Sequence, residues 1–315
     1  MVERKLVPII VAFAAETVFG EWRSYFEDVR GLNLPLSIAL IECSIAEFTM
    51  SSFDHGSIAR KQEVYAQIHA KWIPFVVEYL ANAYHHCAEG TSSPSESTYR
   101  GSPASHEIYP LSPASSHSSY KQLKSPIENQ LAFAVNSYTA LELKTAMQTS
   151  LQIVLRLFEL DLFYQSTEIN QVIKLLFDYS ALIDSEFGVM ALSAIAEFMS
   201  HAQLNLETSY TASDRLMELI SINSTVKESE QEYSLKLCYV ISVFSSNQLA
   251  RMIILDANIF PVANFLAILS RYTINQRDDE SLCILIKCWK DLSIIIDAAE
   301  YIYFNQDTGK FIFRL

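Results

Sequence analysis

The sequence predicts an all-α fold, an α-solenoid of antiparallel helical hairpins carrying one long disordered insertion, and three observations predict it. Apolar residues recur at steps of three and four through segment after segment, the period of one helix face. Glycine and proline are scarce, at seven and nine in 315 residues, and five of the prolines fall between Pro94 and Pro126. The third observation is Ile259 to Ile296, where two amphipathic halves flank the polar turn Asn275, Gln276, Arg277, Asp278 and Asp279. Two antiparallel helices sharing an apolar face make one solenoid unit, and such a unit needs neighbours to bury its outer faces.

The elements fall into N-terminal helical repeats over 1–88, a Ser/Pro-rich insertion over 89–127, further repeats over 128–304 and an irregular tail over 305–315. At the N-terminus Glu3, Arg4 and Lys5 precede LVPIIVAFAA, which imitates a secretory signal. Leu6, Ile9, Ile10, Phe13 and Val18 also fit an amphipathic core helix, and that reading is preferred because no framework of paired cysteines follows. Glu21 to Arg30 reads as a short helix carrying Trp22, Tyr25 and Phe26. Leu34 to Ser51 carries the stripe Ile38, Ile41, Ile45 and Phe48. Ser57 can cap the next helix, in which Ile58, Tyr65, Ile68, Trp72, Val76, Tyr79 and Tyr84 are packing positions. Pro74 lies inside it and, lacking an N–H, should kink or split it.

Beyond the insertion, Leu141 to Leu162 and Glu168 to Tyr179 are predicted to pair, as are Phe187 to Met199 and Ser209 to Ile222, with Gly188 permitting close helix contact. The helix Glu230 to Leu255 leads into the last hairpin. There Leu282, Leu285, Ile286, Trp289, Leu292 and Ile296 form the expected stripe, with Leu282, Ile286 and Trp289 against Phe265 and Leu269. Ile294, Ile295, Tyr301 and Phe304 are left for an exposed apolar patch.

The insertion lacks an apolar period and carries four Ser-Pro pairs, at Ser93, Ser102, Ser112 and Ser125. Phosphorylation there would add charge to an already acidic protein. A plain spacer is the other reading. A formal net charge of −13 argues against a nucleic-acid groove, which needs clustered Lys and Arg, and favours basic protein partners. Five cysteines at irregular spacing read as reduced and mostly buried. Cys283 and Cys288 stand about 140° apart on a helix, too far for a disulfide or a shared metal.

Catalytic motifs are missing: there is no glycine-rich phosphate loop, paired CxxC, HExxH or GxSxG. His85, His86 and Cys87 lack a second half-site for a metal. The carboxylates Glu159 and Asp161, and Asp278, Asp279 and Glu280, are of the kind that helix surfaces and helix starts supply routinely. The expectation is a protein-binding chain that is not an enzyme and takes no cofactor or metal.

Three stretches resemble exportins of the importin-β (karyopherin) superfamily, above all the branch that exports actin bound to profilin. They are Ser57-Ile58-Ala59-Arg60-Lys61-Gln62-Glu63; Gly188-Val189-Met190-Ala191-Leu192-Ser193 with Glu197-Phe198-Met199-Ser200; and Phe260-Pro261-Val262, Phe265-Leu266, Arg271-Tyr272-Thr273 and Cys288-Trp289. The resemblance covers roughly Leu34 to Ile296. It implies HEAT-like repeats, Ran in its GTP form as a partner, profilin-bound actin or another protein as cargo, nucleoporins along the route, and shuttling between nucleus and cytoplasm. Membrane insertion and nucleic acid have no part in it. The chain is much shorter than a full receptor, so no Ran-contacting or cargo-contacting residue is carried over. The alternative is a Ran-independent scaffold or adaptor of helical repeats.

Overall fold

The computed structural model describes residues 2–18, 21–49, 58–90, 139–164, 166–183, 185–201, 204–223, 231–256, 262–305 and 310–313. Over these the chain is all-α apart from one β-hairpin. In order come α1 (Val2–Thr17), α2 (Tyr25–Arg30), α3 (Leu34–Thr49), α4 (Ile58–Gln67), α5 (Ile73–Gly90), α6 (Ala140–Glu159) and α7 (Ile169–Ser180). There follow α8 (Glu186–Ser200), α9 (Leu206–Ile222), α10 (Gln231–Phe244), α11 (Ala250–Asp256), α12 (Val262–Ile274) and α13 (Asp279–Tyr301). Thr139 opens α6 with a reciprocal cap, its hydroxyl accepting the Glu142 N–H at 3.3 Å while the Glu142 carboxylate accepts the Thr139 N–H at 2.9 Å. Apart from Glu89 and Gly90, which end α5, the predicted insertion lies outside the described residues, as does Ser57.

Packing runs through alternate helices. One series joins α1 to α3, α3 to α6, α6 to α8, α8 to α10 and α10 to α13; another joins α5 to α7, α7 to α9 and α9 to α12. The predicted pairings of consecutive segments are therefore corrected. Both α6 and α7 make their main contacts with α8, while α9 lies on α7 and α12. The sequence of α8 explains its central place. Gly188, Ala191, Ala194 and Ala196 are buried on several sides of it, and small residues let α6, α7 and α10 all approach closely. Gly188 is where the approach is tightest, since a Cβ there would sit 2.6 Å from the Leu182 carbonyl oxygen and 3.2 Å from the Tyr233 ring.

The break expected at Pro74 is present one turn earlier. Residues Ile68–Trp72 form a π-helical turn between α4 and α5. Pro74 has no N–H for the carbonyl four residues back, and a wider turn relieves the ring's clash with the backbone there. The π turn aims Trp72 inward, where its indole N–H donates to the Phe26 carbonyl at 3.2 Å and its ring lies 4.6 Å from that of Phe26. A second π turn, Ser245–Leu249, joins α10 to α11 inside the predicted helix Glu230 to Leu255.

Three further expectations are corrected. In α1 the buried face is Val7, Val11 and Ala14, with Val18 buried just beyond its end as expected, while Leu6, Ile9 and Phe13 face solvent. The helix is apolar on two sides, so periodicity alone could not choose between them, and the narrower side gives α3 the closer contact. In α13 the buried residues are Ser281, Leu285, Cys288 and Leu292. That stripe is turned by about 60° from the expected one, because α13 packs mainly on α10 and its π turn, where Cys288 meets the Ser245 hydroxyl at 3.3 Å. Ile286 is exposed as a result, whereas Trp289 still reaches α12 through a 3.0 Å hydrogen bond to Thr273. The third is the irregular tail. Ile302–Asn305 and Lys310–Phe313 pair as antiparallel strands β1 and β2, with Tyr303 opposite Ile312, and their β-branched and aromatic residues suit a strand.

Tyrosine hydroxyls tie the helices across the core. Tyr79 donates to the Leu143 carbonyl at 3.3 Å, Tyr179 to that of Leu80 at 2.8 Å and Tyr233 to that of Ser180 at 2.6 Å. Each ring buries apolar area while its hydroxyl satisfies a main-chain oxygen on another helix.

Candidate interaction surfaces

The contact between α3 and α6 leaves a shallow groove. Its floor is Ile45 and Ile153, both buried, and its rim carries Glu42, Gln152, Arg156 and Glu159. Glu42 is the one charged residue between Leu34 and Ala46, and that isolation in an apolar run was the sequence signal for it. Burial pushes its carboxyl above the ordinary value, and the Arg156 guanidinium partly offsets this. A half-buried carboxylate of this kind gains from an additional cation. The groove can therefore receive a side chain with an apolar stem and a cationic end, and its lining contains no Ser, Thr, Cys, Lys or His.

The sequence-derived candidates separate in the structure. Ser93, Ser102, Ser112 and Ser125 lie outside the described residues, as do the side chains of His85, His86 and Cys87. Glu159 stands on the groove rim. Asp161 has φ of 57°, the left-handed region that Asp tolerates better than most residues, and its carboxylate meets His201 at 3.3 Å. The His201 ring stacks on Tyr164 at 3.7 Å. Burial above all, with Asp161 and Glu197 adding to it, pushes the Tyr164 phenol well above its ordinary value. Periodicity gave no hint of this cluster, which fastens the end of α6 to the end of α8.

Asp278 is a helix cap. It accepts the Ser281 N–H and the Gln231 amide, each at 2.8 Å, and these hydrogen bonds, that of Ser281 foremost, hold its carboxyl below the usual carboxylate range. Cys238 and Cys288 are buried, Cys43 is half-buried and Cys283 is exposed, all with free thiols. Ile294 is exposed and Ile295 half-buried on α13, as the expected apolar patch required. The side chains of Tyr301 and Phe304 lie outside the described residues. Exposed Asp279, Glu280, Lys287, Lys290 and Asp297 interrupt that face.

No family model matches the chain, and neither do the curated proteins or solved structures with which it was compared. The reading of its surfaces therefore rests on its own geometry. Among the described residues no group of three His, Cys, Asp or Glu side chains is arranged to hold a metal ion, and no helix is long and apolar enough to cross a membrane.

Proposed function

We propose that this chain is a helical-repeat protein that binds other proteins, and that it works as part of a nuclear export receptor of the importin-β superfamily. The observation that carries the reading is the packing of alternate helices in two series, α1–α3–α6–α8–α10–α13 and α5–α7–α9–α12. Stacking of like on like, with each element contacting chiefly its neighbours, is what helical repeats build. An acidic chain of net charge −13 with a groove that favours a cation suits a basic partner. In this reading the chain is not an enzyme. It takes cargo, profilin-bound actin first, together with Ran in its GTP form, and passes nucleoporins on the way to the cytoplasm. A flexible stack closes on cargo only when Ran also binds, so each ligand strengthens the other by the same factor. The test is a pull-down of profilin-bound actin with and without GTP-loaded Ran. Retention that rises with Ran supports the reading, and equal retention rejects coupling in this chain.

The charged outer face of α13 favours a second reading, a Ran-independent scaffold, because exposed Asp279, Glu280, Lys287, Lys290 and Asp297 suit a face that meets water. Tagged protein accumulating in the nucleus or at its envelope supports the receptor. A fixed cytoskeletal or vesicular pattern supports the scaffold.

A further inference from the structure

We propose that two copies of this chain associate through the outer face of α1, the two helices lying antiparallel about a twofold axis. The face is a single stripe. Leu6, Ile9 and Phe13 are 47, 64 and 55% exposed and stand three and four residues apart, opposite the Val7, Val11 and Ala14 side that packs on α3. The stripe is about 10 Å long. Half-buried Ile10 borders it, and the Phe13 ring leans on half-buried Trp22 at 6.1 Å, which widens the apolar patch at that end. Large side chains grouped in this way on a helix surface mark a contact that water does not serve well.

Charge on the stripe's flank selects the occupant. Exposed Lys5 and Glu16 lie within about 20° of each other when viewed down the helix, on the same side of the stripe. They are eleven residues apart along it. When two α1 helices pack antiparallel with Leu6 of one over Phe13 of the other, Ile9 of each copy falls beside the axis. Lys5 of each copy then comes beside Glu16 of the other, on both sides of the axis. A parallel twofold arrangement would put this flank of the two copies on opposite sides of the seam, where Lys5 and Glu16 would not meet. The helix is thus complementary to its own reverse in apolar stripe and in charge, as a twofold interface requires. Three large side chains from each copy make a small interface, at the weak end of specific association.

Sedimentation equilibrium of the intact chain, from about 1 to about 100 µM, reads the association directly. The expected result is a rise toward twice the chain mass of 35.7 kDa. Ile9→Glu with Phe13→Glu should leave a monomer whose helical circular dichroism is unchanged, since both residues already face solvent. Lys5→Glu should weaken the dimer roughly three- to tenfold, and adding Glu16→Lys should restore it. A wild-type chain that stays monomeric throughout, as it would if another segment or a different protein covered the face, overturns the proposal. So does a dimer that survives Ile9→Glu with Phe13→Glu. Failure of the exchanged pair to restore association overturns the antiparallel arrangement.

Discussion

Single residues carry large consequences where helices approach most closely, and Gly188 is the sharpest case. In an ordinary helix interior Gly→Ala stabilises by about 0.5–1 kcal/mol because alanine has less backbone freedom to lose. Here the sign reverses. The added Cβ would stand 2.6 Å from a main-chain oxygen, that of Leu182, and backbone cannot swing aside as a flexible side chain does. Gly188→Ala should cost about 1–3 kcal/mol, read as a lower urea midpoint with an unchanged slope. A midpoint at or above that of the wild type would mean that the turn after α7 yields. The cysteines supply a second case. Burial pushes the Cys238 thiol up to about 11, although the neighbouring Ser281 and Tyr272 hydroxyls work the other way. At pH 8 only about 0.1% of it is thiolate. A thiol reagent should therefore label exposed Cys283 in the folded protein and leave Cys238 unlabelled until the chain unfolds. Equal labelling rates would contradict the burial.

At the scale of elements, the two π turns do work that regular helices could not. The second aims Gln248 into the core, where its amide donates to the carbonyls of Met199 at 2.9 Å and His201 at 2.8 Å while its oxygen accepts from Ser209 at 3.2 Å. Arg251, one turn on, reaches the Leu204 carbonyl. The end of α8 and the start of α9 are thus fastened to the junction of α10 and α11. Gln248→Leu keeps the volume and removes both donors, and each carbonyl left dry costs roughly 1–3 kcal/mol. The expected outcome is a thermal midpoint several degrees lower, with protease cleavage between α8 and α9 appearing first. A variant that melts like the wild type would mean that water replaces the amide. The sequence hinted at the turn only through the polar run Ser245-Ser246-Asn247-Gln248 inside an apolar helix. Pro74 gave the clearer warning of the first, since a missing N–H is visible in one residue.

For the molecule as a whole, the sequence carried the helices and their order much better than their partners. A period of three and four residues names a face. It does not say which neighbour covers that face, and so α6 and α7 were paired with each other when both pack on α8. The same limit misassigned α1, which is apolar on two sides, and turned α13 by part of a helical rotation. The acidic balance was legible, whereas the groove depends on two helices far apart in the chain meeting at Glu42 and Arg156. What joins these scales is a core that buries ionisable groups in neutral form. Burial raises Tyr25 to about 12 and Cys238 to about 11, and Tyr272 and Tyr164 shift the same way. A group whose pKa is higher when folded holds its proton more tightly in the native state. Its stabilisation is complete below the unfolded pKa and is lost as pH climbs through the folded one. For Cys238 that window opens near 9 and closes near 11, and for Tyr25 it runs from about 10 to about 12. Within its window each group removes about 1.4 kcal/mol per pH unit. Urea midpoints should therefore hold level from pH 7 to about 8.5 and fall ever more steeply above it. Cys238→Ala should flatten the first part of the decline, between about pH 9 and 10, even though the cavity lowers its stability at pH 7. A decline of unchanged shape in that variant would mean that Cys238 is not the group that begins it.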